Sequence, residues 1–231
     1  MRGPYSDYAP PPIYIYPTTS KPGLRFSRTE LFQLTVAILG LSGAFTILYV
    51  RSYFGSITAS TLGLWFSTSL LAVGTGVGLH EIMHKAVAQR YGYWAEFRYN
   101  LQGLLLAFVF AFAGFIFGAP GATWISGPVT PEQNGKISAA GPLTNLVIGT
   151  AFLAGLLTFA RMIPVSGAPG TILESVLSEV TIVNIILAGF NMIPIMPLDG
   201  AKVWRWNKAA YVGIVIAAVF LIFVVFTGVL L

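Results

Sequence analysis

Long stretches of this chain carry no charge at all: Leu31 to Val50, Thr61 to Leu79, Leu101 to Thr130, Ile137 to Ala160 and Ala209 to Leu231. A helix needs roughly 20 apolar residues to cross the hydrocarbon core of a bilayer, and each run is about that long or longer. Backbone N–H and C=O groups find no water partner in lipid, so such runs predict helices that satisfy them internally. The expected class is an all-α polytopic membrane protein with five to six transmembrane helices. Composition agrees, with 55% of residues apolar and only 9% charged, against about 25% charged in a soluble domain. The first run follows Arg25 and Arg28, but it is too long for a signal-peptide core and no small-residue cleavage site follows it. It reads as a retained transmembrane helix.

The net charge of +5 does not point to nucleic acid. The 13 Lys and Arg residues stand in small groups between the apolar runs, the pattern of topology signals. The chain has no Cys, which excludes disulfides, thiolate metal ligands and a cysteine nucleophile together.

Residues 1 to 29 hold six prolines and four tyrosines (Tyr5, Tyr8, Tyr14, Tyr16) without helical periodicity, so they are expected to form a flexible arm. The rest, 30 to 231, reads as one membrane-embedded domain. Helices are expected over Leu31 to Val50, Thr61 to about Tyr91, Ile137 to Ala160, about Thr171 to Met196 and Ala209 to Leu231. Leu101 to Gly118 is ambiguous. It is apolar enough to span, yet the following APGATWISGPVT, Ala119 to Thr130, has the Gly and Pro punctuation of strands and turns. A re-entrant hairpin or short membrane-embedded strands are therefore expected there.

His80-Glu81-Ile82-Met83-His84 is an H-E-x-x-H motif, and these are the only two histidines in the chain. On a helix the i, i+4 spacing brings both imidazoles to one face, where they can grip one Zn²⁺. Glu81 is then placed to take a proton from water at the metal. Two histidines satisfied by backbone partners would be the plain alternative, but ionisable groups inside a bilayer are costly unless paired or ligating. A catalytic zinc uses three protein ligands and keeps one position open. Of the remaining carboxylates, Asp7, Glu30, Glu96, Glu132, Glu174, Glu179 and Asp199, only Asp199 sits in a segment made for close approach. Pro194 and Pro197 break the helix before it, and Gly200 is expected to permit a turn. Broken helices at membrane depth belong where they line a cavity or are buried in protein.

Three motifs in order, His80-Glu81-x-x-His84, Gly141-Pro142-Leu143-Thr144-Asn145 and Asn191-x-x-Pro194-x-x-x-Leu198-Asp199-Gly200, resemble those of the site-2 protease family of intramembrane metalloproteases. Met196 and Ala201 depart from the usual pattern. The resemblance implies one zinc held by His80, His84 and Asp199, with Glu81 activating water, and Asn145 and Asn191 holding substrate or orienting the site. The implied partner is a transmembrane protein substrate within the lipid bilayer.

Bringing Asp199 to the depth of the histidines constrains the topology. If Leu101 to Gly118 does not span, Arg2, Lys21, Arg25, Arg28, Lys85, Arg90, Arg98, Lys136, Lys202, Arg205 and Lys208 lie on one side, and Arg51 and Arg161 on the other, 11 against 2. If it spans, the split weakens to 8 against 5, and Asp199 moves to the face opposite His80. Charge bias and geometry thus agree on five crossings with the N-terminus cytoplasmic, and the expected location is the plasma membrane.

A substrate helix must open before its peptide bonds can be attacked, and a strand edge pairing with the extended chain would offset that cost. Ala122, Thr123, Trp124 and Ile125 are the candidate edge. Gly74, Gly76 and Gly78 suit close helix packing; with Leu79 where a third glycine would fall, they are not a dinucleotide loop. The competing readings are a zinc transporter or sensor using the same ligands, and an inactive family member that binds membrane partners.

Overall fold

In the computed structural model the described residues are 23–162 and 172–227. The Pro/Tyr-rich arm over 1–29 lies largely outside them. Eight helices and two strands follow one another as α1 (Arg28–Ser52), α2 (Ala59–Val73), a π-helical segment (Gly74–Leu79), α3 (His80–Arg90), β1 (Trp94–Tyr99), α4 (Leu101–Ala113), β2 (Gly121–Ser126), α5 (Pro131–Met162), α6 (Ile172–Asn191), α7 (Asp199–Trp206) and α8 (Lys208–Thr227). Among the described residues five helical units are long and apolar enough to cross a membrane: α1, the continuous Ala59–Arg90 unit, α5, α6 and α8.

The distribution of side chains is that of a lipid-embedded bundle. Val109, Phe112, Val147, Ile216, Phe220 and Phe223 are exposed, whereas Glu30, Ser69, His80, His84, Lys85, Asn145, Asn184 and Asp199 are buried. An apolar outer surface of this extent marks contact with something other than water. Small residues let the helices approach, as expected where packing rather than hydrophobic exclusion holds helices together. Ala44, Ala72, Ala107, Ala111 and Ala188 are fully buried between neighbouring helices. A Cβ on Gly76 would stand 2.9 Å from Val183 Cγ1 of α6, and one on Gly78 would stand 3.1 Å from Ile38 Cδ1 of α1. Gly74 has nothing within 4 Å, so two of the three glycines serve close packing.

The ambiguous stretch after residue 100 leaves the sheet and returns to it. Asn100 caps α4 by accepting from Gly103 N–H at 3.1 Å, and Gly114 ends the helix with a positive φ of 103°, the left-handed conformation that glycine adopts without a Cβ penalty. Thirteen residues rise about 20 Å, short of the roughly 30 Å hydrocarbon core. A Cβ on Gly103 would collide with the Ala119 carbonyl, so the returning chain lies directly on the first turn of α4. Tyr99 and Gly121 are then paired in the antiparallel register of β1 and β2. The segment between them is a hairpin that returns to where it left the sheet, and its helix is shorter than the five long enough to cross a membrane among the described residues. Strand β1, which the apolar runs did not signal, is held by Ala95 and Phe97, both buried against α1, α3 and α5.

The third-ligand segment also differs in one respect from expectation. Gly200 makes no turn: it has no positive φ and lies inside the first turn of α7. A Cβ there would collide with the Met192 carbonyl, so its role is to let α7 start against the end of α6. Between them the chain runs through a cis Met196–Pro197 bond. Val203 of α7 completes a core with Ala139 and Leu146 of α5, Ala188 of α6, Met192, and Ile214 and Ala218 of α8, which fixes the orientation of α7.

Candidate metal centre

The π-helical segment hands over directly to α3, whose first residue is His80. π-helical turns are frequent at functional sites. His80 and His84 lie one turn apart, with Nε2 atoms 2.9 Å from each other and both rings buried. Asp199, the first residue of α7, places Oδ2 3.3 Å from His80 Nε2 and 3.0 Å from His84 Nε2. The two distant motifs therefore meet within the bundle.

These three atoms fit a metal. His84 Nδ1 lies 2.7 Å from the Ile137 carbonyl oxygen; with its proton donated there, Nε2 keeps its lone pair for the centre. That carbonyl belongs to α5, five residues before Pro142, whose missing N–H leaves the adjacent Ser138 carbonyl without its helical donor. Two imidazole nitrogens and a carboxylate oxygen are a common donor set of catalytic zinc, and ligands about 2.0–2.1 Å from a tetrahedral ion lie about 3.3–3.4 Å apart. The observed separations are at or slightly below that spacing. The space is made by Gly141 of α5, where a Cβ would stand 2.5 Å from His84 Nε2 and 2.6 Å from His80 Nε2. Only glycine leaves the cluster open on that side.

Glu81 also has a carboxylate oxygen within the same 4.8 Å neighbourhood as the two histidines. Its Oε2, however, accepts from Thr123 N–H at 2.7 Å and lies 2.8 Å from the Thr123 hydroxyl. Asp199 is the carboxylate that touches both imidazoles, while the Glu81 carboxylate is held beside them by Thr123. Lys202, one turn along α7, approaches Asp199 Oδ1 at 3.4 Å; the i, i+3 spacing of the two was a signal available in the sequence.

Thr123 sits on the outer edge of β2. Asn100 N–H donates to the Pro120 carbonyl, and the alternation of antiparallel pairing then turns the even-numbered residues of β2 towards β1 and Gly121, Thr123 and Ile125 away from it. The outer edge of β1 is sealed by side chains of α1: Phe97 N–H donates to Glu30 Oε1 at 3.0 Å and Tyr99 N–H to Gln33 Oε1 at 3.1 Å. Of the candidate edge residues, Thr123 and Ile125 thus face outward and Ala122 and Trp124 are paired inward.

The two asparagines differ. Asn145, one turn beyond Gly141, is fully buried with neither amide atom hydrogen-bonded among the described residues. Asn191 donates to the Leu187 carbonyl of its own helix at 3.0 Å.

Several proteins resemble the chain. One from Methanocaldococcus jannaschii, provisionally named a zinc metalloprotease, is 40% identical over 185 residues, which cover 79% of this chain and 87% of that protein. A second from the same organism, named zinc metalloprotease, is 26% identical over 142 residues, 62% of this chain. Rip3 of Mycobacterium tuberculosis, provisionally named a zinc metalloprotease, is 30% identical over 133 residues, 56% of this chain. The matches span 34% and 28% of these last two proteins. No family model matches, and neither does any solved structure.

Proposed function

Because the chain belongs to the zinc metalloprotease family of its 40%-identical relative, we propose that it is an intramembrane protease of the site-2 type, hydrolysing peptide bonds in or near transmembrane segments of other membrane proteins. The observation that carries this reading is the contact of Asp199 Oδ2 with both His80 and His84, inside helices whose outer surface is apolar.

His80, His84 and Asp199 would hold one Zn²⁺ per chain. Zinc in such a site polarises a carbonyl and brings the pKa of water to about 7. Glu81 accepts the proton of the attacking water and returns it to the leaving amine. The outward edge of β2, with Thr123 beside Glu81, receives the unwound substrate as an added strand. The sealing of β1 by Glu30 and Gln33 supports this choice of edge. Asn145, whose buried amide has no partner among the described residues and lies one turn from the glycine that borders the proposed ligands, is suited to a substrate carbonyl or N–H; Asn191, spent on its own helix, is the weaker candidate.

The charge split supports a cytoplasmic N-terminus, with the end of α3 and α7 on the same side. His80 lies about 15 Å along the helix from Arg90 at 1.5 Å per residue, so the site lies below that surface within the lipid slab.

Purified protein in detergent, incubated with a helical membrane peptide carrying helix-breaking residues, tests the reading. Cleavage that stops with chelator, returns with zinc and is absent in Glu81→Gln supports it. A zinc-loaded sample that cleaves none of several such peptides contradicts it and favours the transporter or inactive reading.

A further inference from the structure

Resting on the proteolytic reading above, we infer that Thr123 is a positioning residue for Glu81, joining the strand that receives substrate to the group that moves the proton. The hydrogen bonds are specific. Thr123 N–H donates to Glu81 Oε2 at 2.7 Å, and the Thr123 hydroxyl lies 2.8 Å from the same oxygen and 3.0 Å from the Glu81 backbone carbonyl. The hydroxyl therefore reaches both ends of one residue, and its single proton serves either acceptor.

Two consequences follow for the chemistry. With the Thr123 N–H on Oε2, joined there by the hydroxyl proton when it is not on the Glu81 backbone carbonyl, proton exchange falls to Glu81 Oε1. A carboxylate on a free side chain samples several rotamers, whereas one fixed by two donors is pre-organised for a transfer that needs heavy atoms within about 2.6–3.2 Å. The second consequence concerns register. Thr123 is the outward residue at the middle of β2, and its N–H is already committed to Glu81. An extended chain laid along this edge finds the N–H groups of Gly121 and Ile125 on either side and the proton-transfer group between them. Strand docking and the orientation of Glu81 thus pass through one residue.

The test compares wild type, Thr123→Val, Thr123→Ser and Glu81→Gln on one membrane peptide in detergent, with zinc measured per chain. Valine keeps the β-branched shape and the backbone N–H but loses the hydroxyl; serine restores it. The expected result for T123V is a kcat about tenfold to a hundredfold below wild type, with KM within about twofold and zinc per chain unchanged. T123S recovers most of the loss. T123V with wild-type kcat overturns the inference, as does T123S as slow as T123V. A T123V loss confined to KM assigns the hydroxyl to strand pairing instead, and T123V that loses zinc or unfolds assigns it to the fold; either overturns it. Those outcomes leave the proteolytic reading intact. Wild-type protein that cleaves nothing, or E81Q as fast as wild type, overturns that reading and this inference with it.

Discussion

The Asp199 carboxylate lies 3.0 Å from Nε2 of His84, and Gly141 of a third helix borders the space they share. Two of the proposed ligands, on the helix that carries H-E-x-x-H, are supplied locally by helical spacing. The third arrives because α7 is packed among α5, α6 and α8. The metal centre is therefore as sensitive to the helices around it as to its own ligands.

Gly141→Ala tests the contribution of that space. Its Cβ would meet His84 Nε2 at 2.5 Å and His80 Nε2 at 2.6 Å, positions that no backbone adjustment of an interior helix relieves cheaply. Zinc affinity, measured by competition with a chelator, should fall at least about tenfold, the scale seen when groups supporting a metal site are disturbed. Gly63→Ala, where nothing lies within 4 Å, should leave zinc affinity unchanged.

Glu30 and Lys85 form an ion pair that is almost fully buried. Glu30 also takes the Phe97 N–H, and Lys85 lies over the Phe26 ring at 4.3 Å. The pair therefore ties α1 to β1 and to the residue following His84. Glu30→Ala leaves a buried ammonium without its partner and should cost about 3–5 kcal/mol, read from denaturant unfolding in detergent. Replacing both residues with Met should recover much of that loss, because the cost lies in the stranded charge rather than in the absent pair.

The absence of cysteine makes the topology directly readable. Single cysteines at Arg90, Lys208 and Phe54, all exposed, report on the two surfaces when labelled with a membrane-impermeant thiol reagent. Arg90→Cys and Lys208→Cys should label from the same side and Phe54→Cys from the other. Labelling of Arg90 and Lys208 from opposite sides would contradict five crossings with a re-entrant α4.

What the sequence revealed divides along physical lines. The spanning helices and the histidine pair were legible because both are local: an uncharged run needs no partner, and i, i+4 spacing places side chains by helical geometry alone. Asp199 was singled out through the prolines before it, and its carboxylate lies against both imidazoles. The hairpin between β1 and β2 was anticipated from the Gly and Pro around Ala122, but its first strand was not. Trp94–Tyr99 is six residues long and contains Glu96 and Arg98, an ion pair at 2.6 Å, and its pairing with β2 depends on the intervening α4 folding back. The roles of Gly141 and Gly200 were hidden for a related reason, since a glycine's use as empty space shows only when the neighbour is known. The same holds for Thr123, whose bonds to Glu81 join residues that no local pattern connects.

Zinc K-edge absorption of the purified protein, beside that of Asp199→Ala at equal zinc loading, tests the meeting of the two motifs most directly. The wild-type spectrum should fit two imidazole nitrogens and a carboxylate oxygen with no sulfur, and Asp199→Ala should lose the carboxylate contribution and bind zinc at least about a hundredfold more weakly. Identical spectra and affinities for the two proteins would place the ion away from Asp199 and contradict the account.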